Sequence, residues 1–311
     1  MPITEKQKKE RKKHIGSSDM PAILGVSPFA SAYDVWLEKT GKVEQGEANQ
    51  AMQAGNALED WVLDQAEAEL GEMKRNVQAI CKVLPILVAN VDAVRNLDSC
   101  PVEAKTVGLY HPSSERWGEP GTDQVPDRVI VQCAVHQACL GVEDVCFVPA
   151  FIAHRGLVIY EIPYSKELSN LIVDKAGEFW EKYVVKDIPP EDSYASLDYV
   201  KRIIRVPKKI TTVPTDVISE WITAKAMLRE YEQREKEVRA KLLTLLEDAE
   251  VGIAEDKEFG AITYFKQSRS SIDTKRLKEE YPEVYNNVVR SSEYRVPRFT
   301  KKVDKFLDVE E

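Results

Sequence analysis

The sequence predicts an α/β (α+β) protein, with a core of strands and helices, a long helical arm and a small α+β tail. Three observations lead there. "AMQAGNALEDWVLDQAEAELG" (51–71) sets apolar residues at helical spacing. "VQAICKVLPILVANVDAV" and, further on, "DVCFVPAFIA" and "GLVIYEIP" are β-rich, with a helical stretch, "DRVIVQCAVHQACLG", between them. "PTDVISEWITAKAMLREYEQREKEVRAKLLTLLEDAE" is one charged amphipathic run, about nine turns long if unbroken.

Taken in order, the chain opens on a basic run, "KQKKERKK" (Lys6–Lys13). Ser17, Ser18 and Asp19 offer an N-cap for a short helix near Met20–Leu24, which Gly25 ends. "SAYDVWLEKTG" is a second helix, closed by Gly41, and a polar loop follows. The next helix places Ala57, Leu58, Trp61, Val62, Ala66 and Leu70 at helical spacing, runs about four turns and stops at Gly71. The β-rich run breaks at Pro85, and "CPVEAKTV" pairs back onto it through a polar turn at Asn96–Ser99. "YHPSSERWGEPGTDQVPD" is a turn-rich loop, and a helix runs from near Pro126 to Gly141. Two strands pair through "HRG", and a long helix, "KELSNLIVDKAGEFWEKYVVK", follows. "DIPPEDS" marks the end of the core near residue 190. The expected organisation is a core at 1–190, a linker at 191–213, the helical arm at 214–250, and an accessory domain at 251–311 made of a hairpin, a short helix and a final strand.

With 311 residues, 43% hydrophobic and 31% charged, the chain suits one large domain or two smaller ones. No apolar run approaches the roughly 18 residues of a membrane span, and the charged N-terminus is not a secretory signal. A cytoplasmic protein of a bacterial or phage-infected cell is expected. The five cysteines (Cys81, Cys100, Cys133, Cys139, Cys146) include no CxxC pair, which argues against a zinc ribbon and for buried free thiols. The net charge of −9 argues against broad, non-specific nucleic-acid binding. Positive charge is nevertheless clustered at Lys6–Lys13, Lys201–Lys209 and Arg295–Lys305. Such stretches serve as solvated faces or as phosphate tracks.

The hairpin "NVDAVRNLDSCPVEAKTV" (90–107) carries the chemistry. Asp92 lies on its first strand, Glu103 and Lys105 on its second. Residues two apart on a strand share a face, so Glu103 and Lys105 point the same way, and a tight hairpin brings Asp92 beside them. Two carboxylates at close range repel unless something neutralises them. A hard divalent cation does so, and it can polarise a phosphoryl oxygen and acidify a bound water. Lys105 would orient the attacking water or stabilise transition-state charge. On these three residues alone, an ordinary solvated hairpin face is the commoner reading.

Four blocks in order resemble the YqaJ-type viral recombinases, relatives of lambda exonuclease in the PD-(D/E)XK nuclease superfamily. They are "RKKHIGSSDMPAILGVSPFASAYDVWLEKTG", "AGNALEDWV", "NVDAV…CPVEAKT" and "WGEPGTDQVPDRVIVQCAVHQACLG", spanning about residues 11–141. The resemblance implies a restriction-endonuclease-like core with a mixed central sheet flanked by helices. It also implies that Asp92, Glu103, the Ala104 carbonyl and Glu59 hold metal, that Lys105 is the catalytic lysine, and that Gln132 faces the active site. Arg11 and Ser18 match positions that grip the phosphate at a DNA end. The implied cofactor is Mg²⁺ or Mn²⁺, one or two ions. The implied activity is 5′-to-3′ exonuclease action on linear duplex ends, leaving single-stranded DNA for phage-type homologous recombination. A ring-shaped trimer and a single-strand-annealing recombinase partner are also implied, with no membrane association. An endonuclease of the same fold, or a non-catalytic module binding DNA ends or partners, are the alternatives.

Four features depart from the family pattern or stand outside it. Ala134 occupies the place of a frequent second glutamine, and Val91–Asp92 replaces a usual Pro-Asp. His136, one turn beyond Gln132, either faces the same cleft or, as is commoner, lies on the helix surface or is hydrogen-bonded. Tyr110 and Trp117 would stack on a base or pack in the core.

Overall fold

The computed structural model describes residues 11–44, 46, 50–108, 116–191, 193–290 and 295–300. The chain divides into two compact units, with the boundary between Arg205 and Val206. In the first unit the helices are α1 (Met20–Ile23), α2 (Ala32–Lys39), α3 (Gln50–Leu70), α4 (Asp127–Leu140), α5 (Lys166–Phe179) and α6 (Leu197–Arg202). The strands are β1 (Ile15–Gly16), β2 (Met73–Ile80), β3 (Leu87–Arg95), β4 (Pro101–Val102), β5 (Lys105–Val107), β6 (Cys146–Ile152) and β7 (Gly156–Ile162).

Helix boundaries follow local chemistry. Ser31 caps α2 in a reciprocal capping box with Asp34. Gly25, Gly41, Gly71 and Gly141 follow their helices at positive φ, a conformation that costs glycine little. α3 reaches 21 residues, longer than its apolar periodicity indicates. The last turns of the long helix after α5 relax into a π-helical segment, Trp180–Val185.

The seven strands form one mixed sheet. One edge of β3 pairs antiparallel with β2, and the other takes β1 in parallel at Leu87–Val88 and β4 antiparallel at Ala93–Val94. β6 takes β4 and β5 in parallel on one edge and β7 antiparallel on the other. Alternation along β6 sorts the layers. Cys146, Val148, Ala150 and Ile152 pack with Val129 and Cys133 of α4, whereas Phe147 packs with Leu63 of α3. Helices therefore cover both faces of the sheet. All five cysteines are buried free thiols.

The first unit extends past Pro189–Pro190, which punctuate a loop. The Ser193 hydroxyl accepts from Tyr33 N–H at 3.2 Å. Ser196 N–H donates to the buried Asp34 carboxylate at 3.0 Å, and the Tyr199 hydroxyl donates to Glu38 at 2.6 Å. Glu44 N–H and Ile204 N–H close a small bridge to Arg202 and Lys42. Residues read as linker thus seat α6 against α2, because Asp34 and Glu38 offer acceptors that need donors.

The second unit comprises α7 (Thr215–Thr244), a hairpin of β8 (Val251–Ile253) and β9 (Ala261–Thr263), and two short helices, α8 (Thr274–Glu280) and α9 (Pro282–Val288). Asp273 caps α8 by accepting from Arg276 N–H at 3.0 Å. The expected single helix is two, because Pro282 lacks an N–H and starts a new one. The expected final strand does not form over the described residues 295–300.

Candidate active site

Asp92 lies where β3 changes layer. Leu87, Ala89 and Val91 pack with α4, but Ala93 packs with Leu63 of α3. Opposite Asp92 the β2 ladder skips Asn76, which sits at a left-handed φ of 55°. On the other edge, pairing with β4 stops at Ala93–Val102. The next free donor on that edge, Ala104 N–H, is taken by Asp92 Oδ2 at 2.9 Å. Backbone groups of successive strand residues face alternate edges. Glu103 N–H bonds Phe147 of β6 at 2.9 Å, so the Ala104 carbonyl faces the Asp92 side.

β4 and β5 are one strand interrupted. Val102 pairs with Phe147 and Lys105 with Ala150, in unchanged register. The interruption, Glu103–Ala104, falls opposite Pro149, which has no N–H to donate. Glu103 and Lys105 share a face as their spacing predicts, and Lys105 Nζ donates to Glu103 Oε1. His136 comes from α4, with Nδ1 3.6 Å from Glu103 Oε2. Gln132, half-buried, lies one turn earlier on the same face of α4. Glu59 lies on the inner stripe of α3, one turn before Leu63.

The electrostatics tie these groups together. Burial and then the charge of Glu103 push the Asp92 carboxyl well above its usual range, despite Lys105. Burial, and then Glu103, raise Glu59 as well. Burial works to raise Glu103, but the Lys105 ammonium outweighs it and holds the carboxylate low. Burial disfavours the Lys105 ammonium, yet Glu103 and Asp92 hold it protonated. Burial favours the neutral form of His136. Among the described residues the Lys105 ammonium faces three carboxylates and feels the Arg128 cation, and at Asp92 the charge of Glu103 still outweighs that of Lys105, a local deficit of positive charge.

A hard divalent cation fits that deficit. Asp92, Glu103 and the Ala104 carbonyl are oxygen donors, and a small ion such as Mg²⁺ needs only one or two carboxylates because it keeps several waters. Among the described residues no three His, Cys, Asp or Glu side chains form a ready-made cage. Glu59 is felt by Asp92 and Glu103 through charge.

The other expected residues lie elsewhere. Arg11 lines a cavity of about 120 Å³ with Lys12, Glu38, Lys39, Val43, Glu44 and Arg202. Its carbonyl accepts from Lys39 Nζ at 3.0 Å, and Lys39 also bonds Asp19 Oδ2 at 2.5 Å. Asp19 in turn accepts from Gly16 N–H at 2.7 Å, so this buried pair shapes the loop that presents the exposed Ser18. Trp117 packs against Tyr160, with ring centroids 5.3 Å apart, as a core residue. Tyr110 lies outside the described residues.

His136 departs from its expected place. It is fully buried, and neither ring nitrogen has a hydrogen-bond partner among the described residues. Its four-residue spacing from Gln132 is what turns it to the cleft, the less common of the two places the sequence offers it. Pro149, inside an apolar strand, was a sequence signal too, marking where a ladder must lapse.

Residues 7–143 match the family described as the YqaJ-like viral recombinase domain, a span that includes Glu59, the hairpin and Gln132. An uncharacterised protein of Bacillus subtilis (strain 168), YqaJ, is 27% identical over 297 residues, 92% of this chain and 91% of its own. Among solved structures, an alkaline exonuclease from Laribacter hongkongensis is 18% identical with a TM-score of 0.45, covering 59% of this chain and 94% of that one. A phage-related exonuclease from Haemophilus somnus 129PT is 12% identical with a TM-score of 0.42, covering 56% and 96%.

Proposed function

We propose, from the match of residues 7–143 to the YqaJ-like viral recombinase domain, that the protein is a divalent-metal-dependent deoxyribonuclease. The observation that carries this reading is the buried cluster of Asp92, Glu103 and Lys105, where carboxylate charge exceeds what one ammonium offsets. Asp92, Glu103 and the Ala104 carbonyl hold Mg²⁺ or Mn²⁺, one or two ions, and Glu59 adds negative charge beside them. Bound there, the metal supplies Lewis-acid polarisation of a phosphoryl oxygen and a more acidic water. Lys105, held protonated, stabilises negative charge developing on the phosphorus centre and is no general base. Gln132 orients the water from the α4 side. Arg11 and Ser18 hold the terminal phosphate of the strand.

The finer reading is a 5′-to-3′ exonuclease on linear duplex ends. It leaves single-stranded DNA for an annealing recombinase in a bacterial or phage-infected cytoplasm, and it works as a ring-shaped trimer. A ring would let a chain of net charge −9 keep its positive charge along a channel. The test is a time course on end-labelled linear duplex with Mg²⁺ and with EDTA, beside covalently closed circles. Mononucleotide release from linear ends, abolished by EDTA and absent on circles, is expected. Degradation of circles at the linear rate would replace the exonuclease by an endonuclease. No cleavage with Mg²⁺ or Mn²⁺ would leave only a binding module.

A further inference from the structure

Two buried polar side chains stand next to each other on α4 and differ in kind. Gln137 Nε2 donates to the Asp144 carbonyl at 2.6 Å and to the Ile162 carbonyl at 3.2 Å. It is a satisfied structural group. His136 is as deeply buried and, among the described residues, has no such partner on either nitrogen. Buried polar groups without partners are rare and costly, and each calls for an explanation, a role at a functional site among them. A charged group does face the ring: Glu103 Oε2 lies 3.6 Å from Nδ1. The other oxygen of the same carboxylate, Oε1, accepts from Lys105.

We propose that His136 is a positioning residue for Glu103: its Nδ1–H faces Oε2 and fixes the carboxylate plane so that Oε1 remains toward Lys105 and the metal. The inference rests on the metal-dependent reading above. With a carboxylate oxygen beside Nδ1, that ring nitrogen is the one favoured to carry a proton. At 3.6 Å the contact is longer than a hydrogen bond. Catalytic hydrogen bonds are often long in the resting protein and tighten when the site is filled. Partners of this kind orient ligands and tune metal affinity without touching the ion.

The test uses the full chain with His136→Asn, His136→Gln and His136→Leu. An Asn amide nitrogen falls where Nδ1 sits, and a Gln amide nitrogen falls where Nε2 sits. Mn²⁺ binding is followed by thermal shift without DNA, and nuclease activity is measured against Mn²⁺ concentration. Asn is expected to hold Mn²⁺ nearly as wild type does. Gln and Leu should need about 10- to 100-fold more Mn²⁺, with lower kcat and unchanged KM for DNA. If Leu does not fold, the Asn–Gln contrast decides alone. Equal Mn²⁺ affinity in Asn and Gln variants, or a Leu variant that binds like wild type, would overturn the positioning role and leave the metal reading standing. A wild type that shows neither a Mn²⁺-induced shift nor cleavage would overturn both.

Discussion

Ala104 N–H donates to Asp92 Oδ2 at 2.9 Å, across the point where β3 and β4 stop pairing. A buried backbone donor needs a partner, and here a carboxylate replaces the missing strand. The same bond holds Asp92 beside the Ala104 carbonyl and within the field of Glu103. Strand divergence and site formation are thus one event.

Asp92→Asn keeps an oxygen for Ala104 N–H and removes a charge that burial and Glu103 disfavour. Because the folded pKa of Asp92 lies above the unfolded one, metal-free protein loses stability as pH rises from 3.8 through that folded value. The Asn variant lacks this loss, so its metal-free melting temperature near pH 7 should equal or exceed wild type. Nuclease rate should fall about 10³-fold or more, as expected when several kcal/mol of metal assistance is lost. Melting curves with EDTA and with Mg²⁺ check both, and a markedly less stable Asn variant would contradict the charge argument.

Lys105→Ala removes the ammonium that faces Glu103 and Asp92. Catalysis should drop about 10²- to 10³-fold, the usual effect of losing one electrostatic stabiliser, while duplex DNA still binds. Gel shift and nucleotide release on the same preparation separate the two. Equal release by variant and wild type would remove Lys105 from the mechanism.

The Lys39–Asp19 pair is buried, with side chains 2% and 9% exposed. Burial opposes the Asp19 charge, but Lys39 prevails and holds the pKa below 3.8. The pair's contribution is therefore complete above pH 3.8 and disappears as pH falls through the lower folded value. Lys39→Met leaves a buried carboxylate unpaired and should cost about 3–5 kcal/mol. Urea unfolding at pH 7 measures it. Because Lys39 also bonds the Arg11 carbonyl, affinity for 5′-phosphorylated ends should weaken in the same variant.

The cysteines offer a check on packing. Burial raises the Cys100 thiol to about 11 and the Cys139 thiol to about 12. Thiolate is the reactive form, so a thiol reagent at pH 8 should label neither in the folded protein and both in denaturant. Rapid labelling of the native chain would show a looser core.

Much of this was legible in the sequence because it is local. Gly41, Gly71 and Gly141 end helices through their own backbone freedom, and the i, i+2 spacing puts Glu103 beside Lys105. What was not legible involves distant partners. The sequence reading closed the core near Pro190, but Ser196 and Tyr199 find acceptors on α2, more than 150 residues earlier, as their sequence separations of 162 and 161 show. His136 read as a surface or satisfied residue because helical periodicity gives a face and not what covers it.

By itself the sequence determined which side chains could do chemistry: two carboxylates and a lysine on strands, a glutamate and a glutamine on helices, each at a spacing that turns it to a defined face. The tertiary structure decided how they meet. β3 leaves β4 at Asp92, Pro149 breaks the ladder beside Glu103, and α4 sets His136 behind it. Side-chain direction follows from bonds along the chain, whereas convergence depends on where strands part and helices pack, and those contacts join residues far apart in sequence.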